Sequence, residues 1–214
     1  MVKEPRAGRV KTRLGRGIGM VAAAWWFRRQ SARILREVRD PRWDTVLAVS
    51  PDAEGMNSRV WPRDLPRVPQ GKGDLGARMG RIFRRFPPGP VVIVGADIPG
   101  LRRAHVAAAF AALGHSAAVV GPAEDGGYWL IGLKRLARPP AGLFRGVRWS
   151  TRHALADTLA TLPGPVAFVD TLADVDEAAD LVGARQTRLA DGGSNAHVIA
   201  DENDKYPSHK RPDP

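Results

Sequence analysis

The sequence predicts one α/β domain built around a mostly parallel central sheet. Three observations lead to this fold class. Residues 91–94 form an apolar, β-branched run that stops at Gly95, which is typical of a strand buried on both faces. Strand-like and helix-like segments alternate along the chain, as they do where helices cover a parallel sheet. A chain of 214 residues with 43% hydrophobic content is long enough to bury one sizeable core.

The elements are predicted from local composition, in chain order. Residues 3–19 are rich in glycine and basic side chains, which favours a loop, and residues 20–38 have helical composition. Residues 46–49 form a strand that ends at a Ser-Pro-Asp turn. The remaining elements are a helix with one apolar side at 74–86, the strand at 91–94, an alanine-rich helix at 102–113, strands at 116–121 and 128–133, a helix at 151–162 and a short strand at 166–169.

Composition restricts the domain organisation and the partners. Residues 1–190 are predicted to form the domain, and residues 191–214 a disordered tail, because the tail has too little apolar content to offset its ordering entropy. The net charge of +11 favours anionic partners such as nucleotides, but the basic residues form no aromatic-interleaved stripe, so we expect no nucleic acid. We expect a cytoplasmic protein with no membrane span, since no apolar run approaches about 18 residues.

Asp97 is the first candidate functional residue. It follows the strand at 91–94, and Pro99 turns the chain sharply after it, which keeps the carboxylate at the rim of the sheet. Open α/β sheets bind ligands just beyond the carboxyl ends of their strands. The position predicts a metal ligand; the alternative is a carboxylate that caps the helix starting near Arg102.

Two basic or glycine-rich loops are candidate phosphate contacts. Residues 3–14 place several cations close together, with Lys11 and Arg13 as the predicted phosphate ligands, although the spacing is not that of a Walker loop. Residues 70–79 hold three glycines ahead of a helix, which would allow close backbone approach to a ligand. The alternatives are a solvated basic loop for the first segment and an ordinary connecting loop for the second.

Carboxylates in two later segments are further candidates. Asp125, beside a double glycine, is predicted to face Asp97 across the sheet edge; the alternative is a tight hairpin turn. Asp174, Asp176 and Asp180 precede or enter a last helix, where the helix dipole favours carboxylates in any case. Asp176 is predicted as a second metal ligand. The Trp-Ser-Thr sequence at 149–151 opens a helix, where Ser or Thr most simply serves as an N-cap.

Six motifs occur in a fixed order along residues 2–181. They are Lys-x-Pro-x-x-Gly-x-x-Lys-Thr-Arg-Leu, Asp-Leu-Gly-x-Arg-Met, Gly-x-Asp-x-Pro-x-Leu, Pro-Ala-x-Asp-Gly-Gly-Tyr, Trp-Ser-Thr and Asp-x-Asp-x-x-x-Asp-Leu. Together they resemble the radical-SAM/selenodomain-associated transferases, which are grouped with the nucleotide-diphospho-sugar transferases of GT-A fold. The resemblance implies a three-layer, Rossmann-like GT-A sheet.

The resemblance also implies a site. Magnesium or manganese is expected at Asp97 and Asp176, with Asp97, Asp125 and Lys11 as catalytic residues. The nucleotide is expected over the first half of the sheet, and the acceptor beside the turn at 125–128 and residues 149–151. The substrate-binding residues so implied are Lys3, Gly8, Lys11, Arg13, Gln70, Asp74, Gly76, Arg78, Gly126, Gly127, Tyr128, Trp149, Ser150 and Thr151.

The implied function is a metal-dependent transferase with a nucleotide-activated donor, most simply a glycosyltransferase. One alternative is a nucleotidyltransferase acting on a phosphorylated small molecule, and another is a non-catalytic protein that binds nucleotide sugars. The amino terminus departs from the expected pattern, because only Met1 and Val2 stand before the loop that should follow a central strand. The first strand is therefore expected to be truncated, with a reading frame that continues upstream of Met1.

Overall fold

The computed structural model describes residues 1–136 and 138–181. The strands are β1 (Val2–Lys3), β2 (Leu47–Ser50), β3 (Arg67–Pro69), β4 (Val91–Val94), β5 (Ala118–Pro122), β6 (Tyr128–Leu133) and β7 (Val166–Phe168). The helices are α1 (Thr12–Ile18), α2 (Met20–Glu37), α3 (Asp52–Met56), α4 (Leu75–Arg85), α5 (Arg103–Ala112) and α6 (Ala154–Leu159). The predicted tail at 191–214 and the last residues of the predicted domain lie outside the described residues.

The strands form two groups that meet at β1 and β4. In the first group, β1, β2 and β3 pair in that order and are parallel. In the second, the order is β4-β6-β5-β7, with β5 and β7 parallel. The amino group of Met1 donates to the carbonyl of Val94 over 2.6 Å and so joins the two groups. The predicted α/β class with a mostly parallel sheet is confirmed.

β6 is antiparallel to both of its neighbours, β4 and β5. The reason is the short connection between β5 and β6, at residues 123–127, because a parallel pairing would need a crossover of a dozen or more residues. The hairpin alternative for the Asp-Gly-Gly segment therefore describes the local backbone correctly.

Helices cover both faces of the sheet. Successive side chains of each strand point to opposite faces, so both faces present apolar side chains to a helix layer. On one face, Val120 and Ile131 pack in a cluster with Phe83 of α4. On the other face, Val119 and Leu130 pack with residues of α5 and with the end of α2. The result is three layers, with the strands at 91–94, 118–122 and 128–133 in the middle. No helix within the described residues is long and apolar enough to cross a membrane.

Several local features differ from the sequence prediction. The predicted loop at 3–19 contains α1, which Gly19 separates from α2 with a φ of 91°. β3 has one buried residue and ends in proline, so it carries no recognisable strand pattern. The helix predicted at 151–162 begins only at Ala154, because Ser150, with a φ of 60°, lies in a turn.

Candidate active site

A polar cleft opens where β1, β3 and β4 end. Its volume is about 490 Å³. Open α/β sheets place their ligand sites in this position, since the loops that follow neighbouring strands meet there. The charged and polar residues that line it are Lys3, Arg9, Lys11, Thr12, Arg13, Gln70, Asp97 and Asp176.

Lys11 lies at the centre of the cleft and contacts carboxylates from two distant parts of the chain. Its Nζ is 2.6 Å from Asp97 Oδ2 and 2.7 Å from Asp176 Oδ1, and its side chain is only 7% exposed. Burial by itself would lower the pKa of Lys11, but the two carboxylates outweigh it, so the pKa is raised above its ordinary value. Lys11 is therefore a fixed positive charge at neutral pH.

The backbone at Lys11 is left-handed, with φ 44° and ψ 50°. For a residue with a Cβ this conformation costs on the order of 1 kcal/mol, and it persists only where the surroundings impose it. Lys11 precedes α1, whose Leu14 is fully buried against Ala23 and Val175. The packing of α1 thus holds the loop in place and directs the ammonium group towards the carboxylates.

Three carboxylates converge beside Lys11. Oxygen atoms of Asp97, Asp174 and Asp176 lie within 4.8 Å of one another, and all three residues are partly buried. Burial raises the pKa of Asp174 to about 6, and the negative charge of the neighbouring Asp176 acts in the same direction. The three carboxylates of the cluster thus outnumber the single ammonium group, that of Lys11, which contacts two of them.

The short segment 174–176 explains how two of these carboxylates reach the cleft. Val175 is 1% exposed and packs against α1 and α2, which anchors the segment between the two acidic residues. The carboxylate of Asp180 accepts hydrogen bonds from the backbone N–H groups of Asp176 and Glu177, at 2.9 and 2.7 Å. The third acidic residue of the Asp-x-Asp-x-x-x-Asp motif therefore shapes the turn, while the first two face Asp97.

Asp97 does not cap the helix that follows it. α5 begins at Arg103, and its N-cap residue is Arg102. The carboxylate is instead 30% exposed and paired with Lys11. The capping alternative for Asp97 is therefore wrong.

The donor set fits a hard divalent cation. Magnesium and manganese prefer oxygen ligands, and Mg²⁺ is commonly held by one or two carboxylates together with substrate phosphates and water. Asp97, Asp174 and Asp176 offer three carboxylates close enough for one ion. Because the Lys11 ammonium contacts two of these residues, it shares its ligands with any metal bound there.

The other predicted phosphate contacts differ in their surroundings. Arg13 is 59% exposed, and its guanidinium is 3.3 Å from Asp176 Oδ2. Lys3 is exposed and lines the cleft. Gly8 lies in an exposed turn outside the residues that line it. Gln70 is buried, and its side-chain amide donates to the carbonyls of Val2 and Ala48, so its donors already hold β1 and β2 together.

The predicted residues at the start of α4 have structural contacts. Asp74 is the N-cap and accepts a hydrogen bond from the N–H of Ala77 over 2.8 Å. Arg78 donates to the carbonyl of Gly73 over 2.9 Å. A Cβ at Gly76 would lie 2.7 Å from side-chain atoms of both Phe144 and Trp149, so only glycine fits there without a shift.

Asp125 lies in the hairpin between β5 and β6. Its Oδ1 accepts a hydrogen bond from the N–H of Gly127 over 2.8 Å, and the side chain is exposed. It lies outside the three-carboxylate cluster, although its charge contributes to the raised pKa of Asp174. The hydroxyl of Tyr128 accepts a hydrogen bond from Thr158 over 3.4 Å, and burial raises the pKa of Tyr128.

Residues 149–151 lie shortly before α6, which contacts this hairpin. The carbonyl of Gly126 accepts a hydrogen bond from the N–H of Leu155, which joins the hairpin to the start of α6. Thr151 donates to the carbonyl of Arg148 and accepts from the N–H of His153, while His153 itself is the N-cap of α6, so the predicted capping role of Ser150 and Thr151 is wrong. The buried indole N–H of Trp149 has no hydrogen-bond partner among the described residues.

Sequence reasoning missed two features of the cleft. The metal ligands were predicted as Asp97 and Asp176 alone, whereas Asp174 completes the cluster. The contact between Lys11 and the carboxylates was also not predicted, since Lys11 was expected to bind phosphate and to act in catalysis, without a carboxylate partner. The available signal was the spacing Asp-x-Asp around one apolar residue, which in an extended segment places both carboxylates on the side opposite the buried residue.

Comparisons with known proteins agree with this architecture. A family profile described as "Uncharacterized protein conserved in bacteria (DUF2064)" matches residues 34–151, and the chain belongs to that family. The chain is also similar to a crystal structure from Desulfovibrio desulfuricans G20 named "putative nucleotide-diphospho-sugar transferase". The identity is 29%, the TM-score is 0.74, and the match covers 87% of this chain and 84% of the other. No curated protein matches the sequence.

Proposed function

We propose that this member of the family is a metal-dependent transferase that uses a nucleotide-activated donor, with glycosyl transfer as its reaction. One observation carries the proposal. Lys11, Asp97 and Asp176 line a cleft at the carboxyl ends of the central strands, and the carboxylate of Asp174 lies beside those of Asp97 and Asp176. The similarity to a structure named a nucleotide-diphospho-sugar transferase, over most of both chains, supports the same donor class.

The cations of the cleft suit a diphosphate. Lys11 is the N-cap of α1 and Arg13 lies in its first turn, and both contact Asp176, so their positive charges lie close together. Charge-assisted hydrogen bonds of this kind hold phosphate oxygens more strongly than neutral donors do. Lys3, at the end of β1, adds a third positive charge to the lining. We assign the diphosphate of the donor to this side of the cleft.

The three carboxylates would hold the metal, with Asp97 as its central ligand and Asp174 and Asp176 beside it. A bound divalent cation supplies positive charge where negative charge develops on the departing diphosphate. Lys11 provides fixed positive potential at the same place, and its burial removes competing water from the contact. The contribution of the chain to the reaction is thus positioning and electrostatic stabilisation.

We assign the acceptor to the hairpin at 125–128 and to residues 149–151, which lie outside the residues that line the cleft. The hydrogen bond between Gly126 and Leu155 joins the hairpin to α6, which follows residues 149–151 in the chain. Asp125 is exposed, and its negative charge is the smallest of the contributions that raise the pKa of Asp174, so it lies within electrostatic reach of the carboxylate cluster. In this assignment Asp125 accepts the proton of the attacking acceptor group. The narrower resemblance to the radical-SAM/selenodomain-associated transferases forms part of the same proposal.

The first test is a screen of nucleotides and nucleotide sugars by thermal shift, with and without magnesium or manganese. A ligand present at a hundred times its dissociation constant stabilises the fold by about 2.7 kcal/mol, which is well within detection. We expect stabilisation by a nucleoside diphosphate or its sugar derivative, and a larger shift when metal is present. Stabilisation by none of these ligands would contradict the proposal.

The second test identifies the product formed from the donor that binds. Free nucleoside diphosphate is the result expected for glycosyl transfer. Pyrophosphate would instead show nucleotidyl transfer, in which a phosphorylated acceptor attacks the α-phosphorus of a nucleoside triphosphate. Tight binding without turnover of any acceptor would identify a binding protein rather than an enzyme.

A further inference from the structure

The solvent-facing side of α2 carries two large apolar side chains. Val21 is 63% exposed and Trp25 is 57% exposed, and their spacing of four residues makes them neighbours on the helix surface. The opposite side of α2 is buried and packs against one face of the sheet. Most of the apolar surface of Val21 and Trp25 is thus left outside the core, where a partner can contact it.

Arginines extend the same side of the helix towards its end. Arg28, Arg29 and Arg36 are exposed, and they share a side of α2 with Val21 and Trp25, because residues three, four, seven or eight apart lie on one side of a helix. The guanidinium carbon of Arg28 lies 5.3 Å from the centre of the Trp25 ring, so the basic and apolar parts are in contact. We call this side of α2, formed by these five residues, the α2 surface.

The positive charge of the α2 surface is not compensated locally. The ion pairs that the described residues form do not include Arg28, Arg29 or Arg36. Residues 5–36 contain nine arginine and lysine residues and no aspartate or glutamate. The three arginines also lie outside the lining of the polar cleft, so the proposed donor site does not account for them. A surface of this kind attracts a polyanion.

The mixture of side chains favours one class of polyanion. Proteins that bind single-stranded nucleic acid stack successive bases on several aromatic rings, whereas the α2 surface has one ring, and Val21 would face phosphate groups. Two copies of the chain that met through this surface would bring arginines against arginines. An anionic membrane satisfies both parts, because tryptophan and aliphatic side chains enter the boundary between headgroups and acyl chains, while arginines bind lipid phosphates.

We propose that the α2 surface binds the surface of a membrane that contains anionic lipids. Val21 and Trp25 enter the headgroup boundary, and the three arginines bind headgroup phosphates through charge-assisted hydrogen bonds. α2 lies along the membrane, because the exposed residues extend from near its start to near its end. Its buried side stays packed in the domain, so the attachment is peripheral. The proposal does not depend on the transferase function.

The first experiment measures flotation of the full chain with lipid vesicles. One set of vesicles is pure phosphatidylcholine, and in the other about a third of the lipid is phosphatidylglycerol, which is anionic. We expect binding to the anionic vesicles, weakened by added salt, and little binding to the neutral ones. Binding to neither kind, or equal binding to both, would overturn the proposal.

Matched double variants separate the α2 surface from the net charge of the protein. Arg28→Gln/Arg29→Gln removes two adjacent arginines from the α2 surface. Arg84→Gln/Arg85→Gln removes two adjacent exposed arginines from the last turn of α4, which covers the other face of the sheet. We expect affinity for the anionic vesicles to fall about 10- to 30-fold for the first pair and less than about twofold for the second. Equal losses would show attraction by net charge alone and would overturn the proposal.

The apolar part of the α2 surface is tested at Trp25. Trp25→Ala should weaken vesicle binding about tenfold, while Phe168→Ala, which truncates a similarly exposed aromatic residue on β7, should leave it unchanged. Vesicles with brominated acyl chains quench a tryptophan that reaches the acyl boundary. We expect this quenching in the unmodified protein and in Phe168→Ala, but not in Trp25→Phe. Quenching that survived in Trp25→Phe would place a different surface on the membrane and contradict the proposal.

Nucleic acid is the competing partner, and a labelled single-stranded oligonucleotide tests it by fluorescence anisotropy. We expect Arg28→Gln/Arg29→Gln to bind the oligonucleotide about as the unmodified protein does. If this variant and Trp25→Ala weakened oligonucleotide binding about tenfold or more but left vesicle binding unchanged, the α2 surface would be a nucleic-acid site, and the membrane proposal would be overturned.

Discussion

The two ends of β1 carry cavities of opposite character. The cleft at its carboxyl end contains Lys11 and the acidic cluster, with a left-handed backbone and a buried ammonium. The cavity at its amino end, which we call the slot, lies between β2 and β4. It is lined by aliphatic and aromatic side chains and by two strand edges. The slot has the larger volume. Size alone therefore does not identify the functional site in this molecule.

The two cavities differ in the chemical groups that line them. In the cleft, charged side chains partly compensate one another, and the remaining negative charge favours a cation, while the loop cations favour an anion. In the slot, the lining is mainly aliphatic and aromatic, and the bordering strands β2 and β4 each present one edge to it. The first cavity is thus arranged for ligand chemistry, whereas the second is a mainly apolar space between two strand edges.

The largest predicted effect belongs to the cleft. Lys11→Met keeps most of the side-chain length but removes the ammonium, so we expect nucleoside diphosphate affinity to fall about 10- to 100-fold, the range for a charge-assisted hydrogen bond of about 1.5–3 kcal/mol. In the absence of nucleotide, Mn²⁺ affinity should rise by about tenfold, since a positive charge no longer competes for Asp97 and Asp176. Calorimetric titration measures both quantities.

Lys134→Met is the matched control for this substitution. Lys134 donates to the carbonyl of Gly114, away from the cleft. Its substitution should therefore leave the affinities for nucleoside diphosphate and for Mn²⁺ unchanged. If Lys11→Met weakened Mn²⁺ binding instead of strengthening it, the shared use of the carboxylates would be refuted.

The next largest effect belongs to the slot. The amine of Met1 has a pKa of about 6 in the folded protein and of about 8.0 when unperturbed. Between these values the unfolded chain binds the proton and the folded chain does not, so the free energy of unfolding should rise with pH. The rise from this group is at most about 2–3 kcal/mol between pH 5 and 9. Urea unfolding across this pH range measures it.

N-terminal acetylation provides the comparison for the pH experiment. It removes the titrating amine and leaves every side chain in place, so the difference between acetylated and free protein isolates the contribution of Met1. A difference that did not change with pH would mean that the amine is not buried as the structure has it.

Much of this architecture could be predicted from local pattern, and the reasons are specific. The apolar run at 91–94 and the glycine after it identify β4 and place Asp97 at its end. The strand at 128–133 was predicted and the hairpin before it was one of two alternatives, but the antiparallel direction of β6 was left open, because the same turn residues fit both a hairpin and a loop between parallel strands. β3 was missed because the run Arg-Val-Pro has only one buried residue.

The site could be predicted only in part, for a different reason. Its decisive contact joins Lys11 to Asp176, which is 165 residues away in the chain. Local sequence indicates that each residue is polar and lies in a loop, but the folded core determines which loops meet. The packing of Val175 against α1 and α2 brings them together, and this follows from tertiary structure alone.

The smallest predicted effect is that of Arg13→Met. Arg13 is 59% exposed and makes a long contact with Asp176, so solvent screens its charge. We expect nucleoside diphosphate affinity to fall about two- to fivefold, and the remaining binding to depend less on salt than in the unmodified protein. A loss equal to that of Lys11→Met would show that the two cations contribute equally, contrary to their different burial.

The most direct test of the account is the effect of Mn²⁺ on the affinity for a nucleoside diphosphate, measured by calorimetry in the unmodified protein, Asp97→Asn and Asp170→Asn. Asp170 is a 74% exposed carboxylate after β7 and serves as the matched control. We predict that Mn²⁺ raises the affinity at least about tenfold in the unmodified protein and in Asp170→Asn, and not at all in Asp97→Asn, because hard cations require the charged carboxylate. A metal effect that survived in Asp97→Asn would contradict the assignment of the cleft as the metal and nucleotide site.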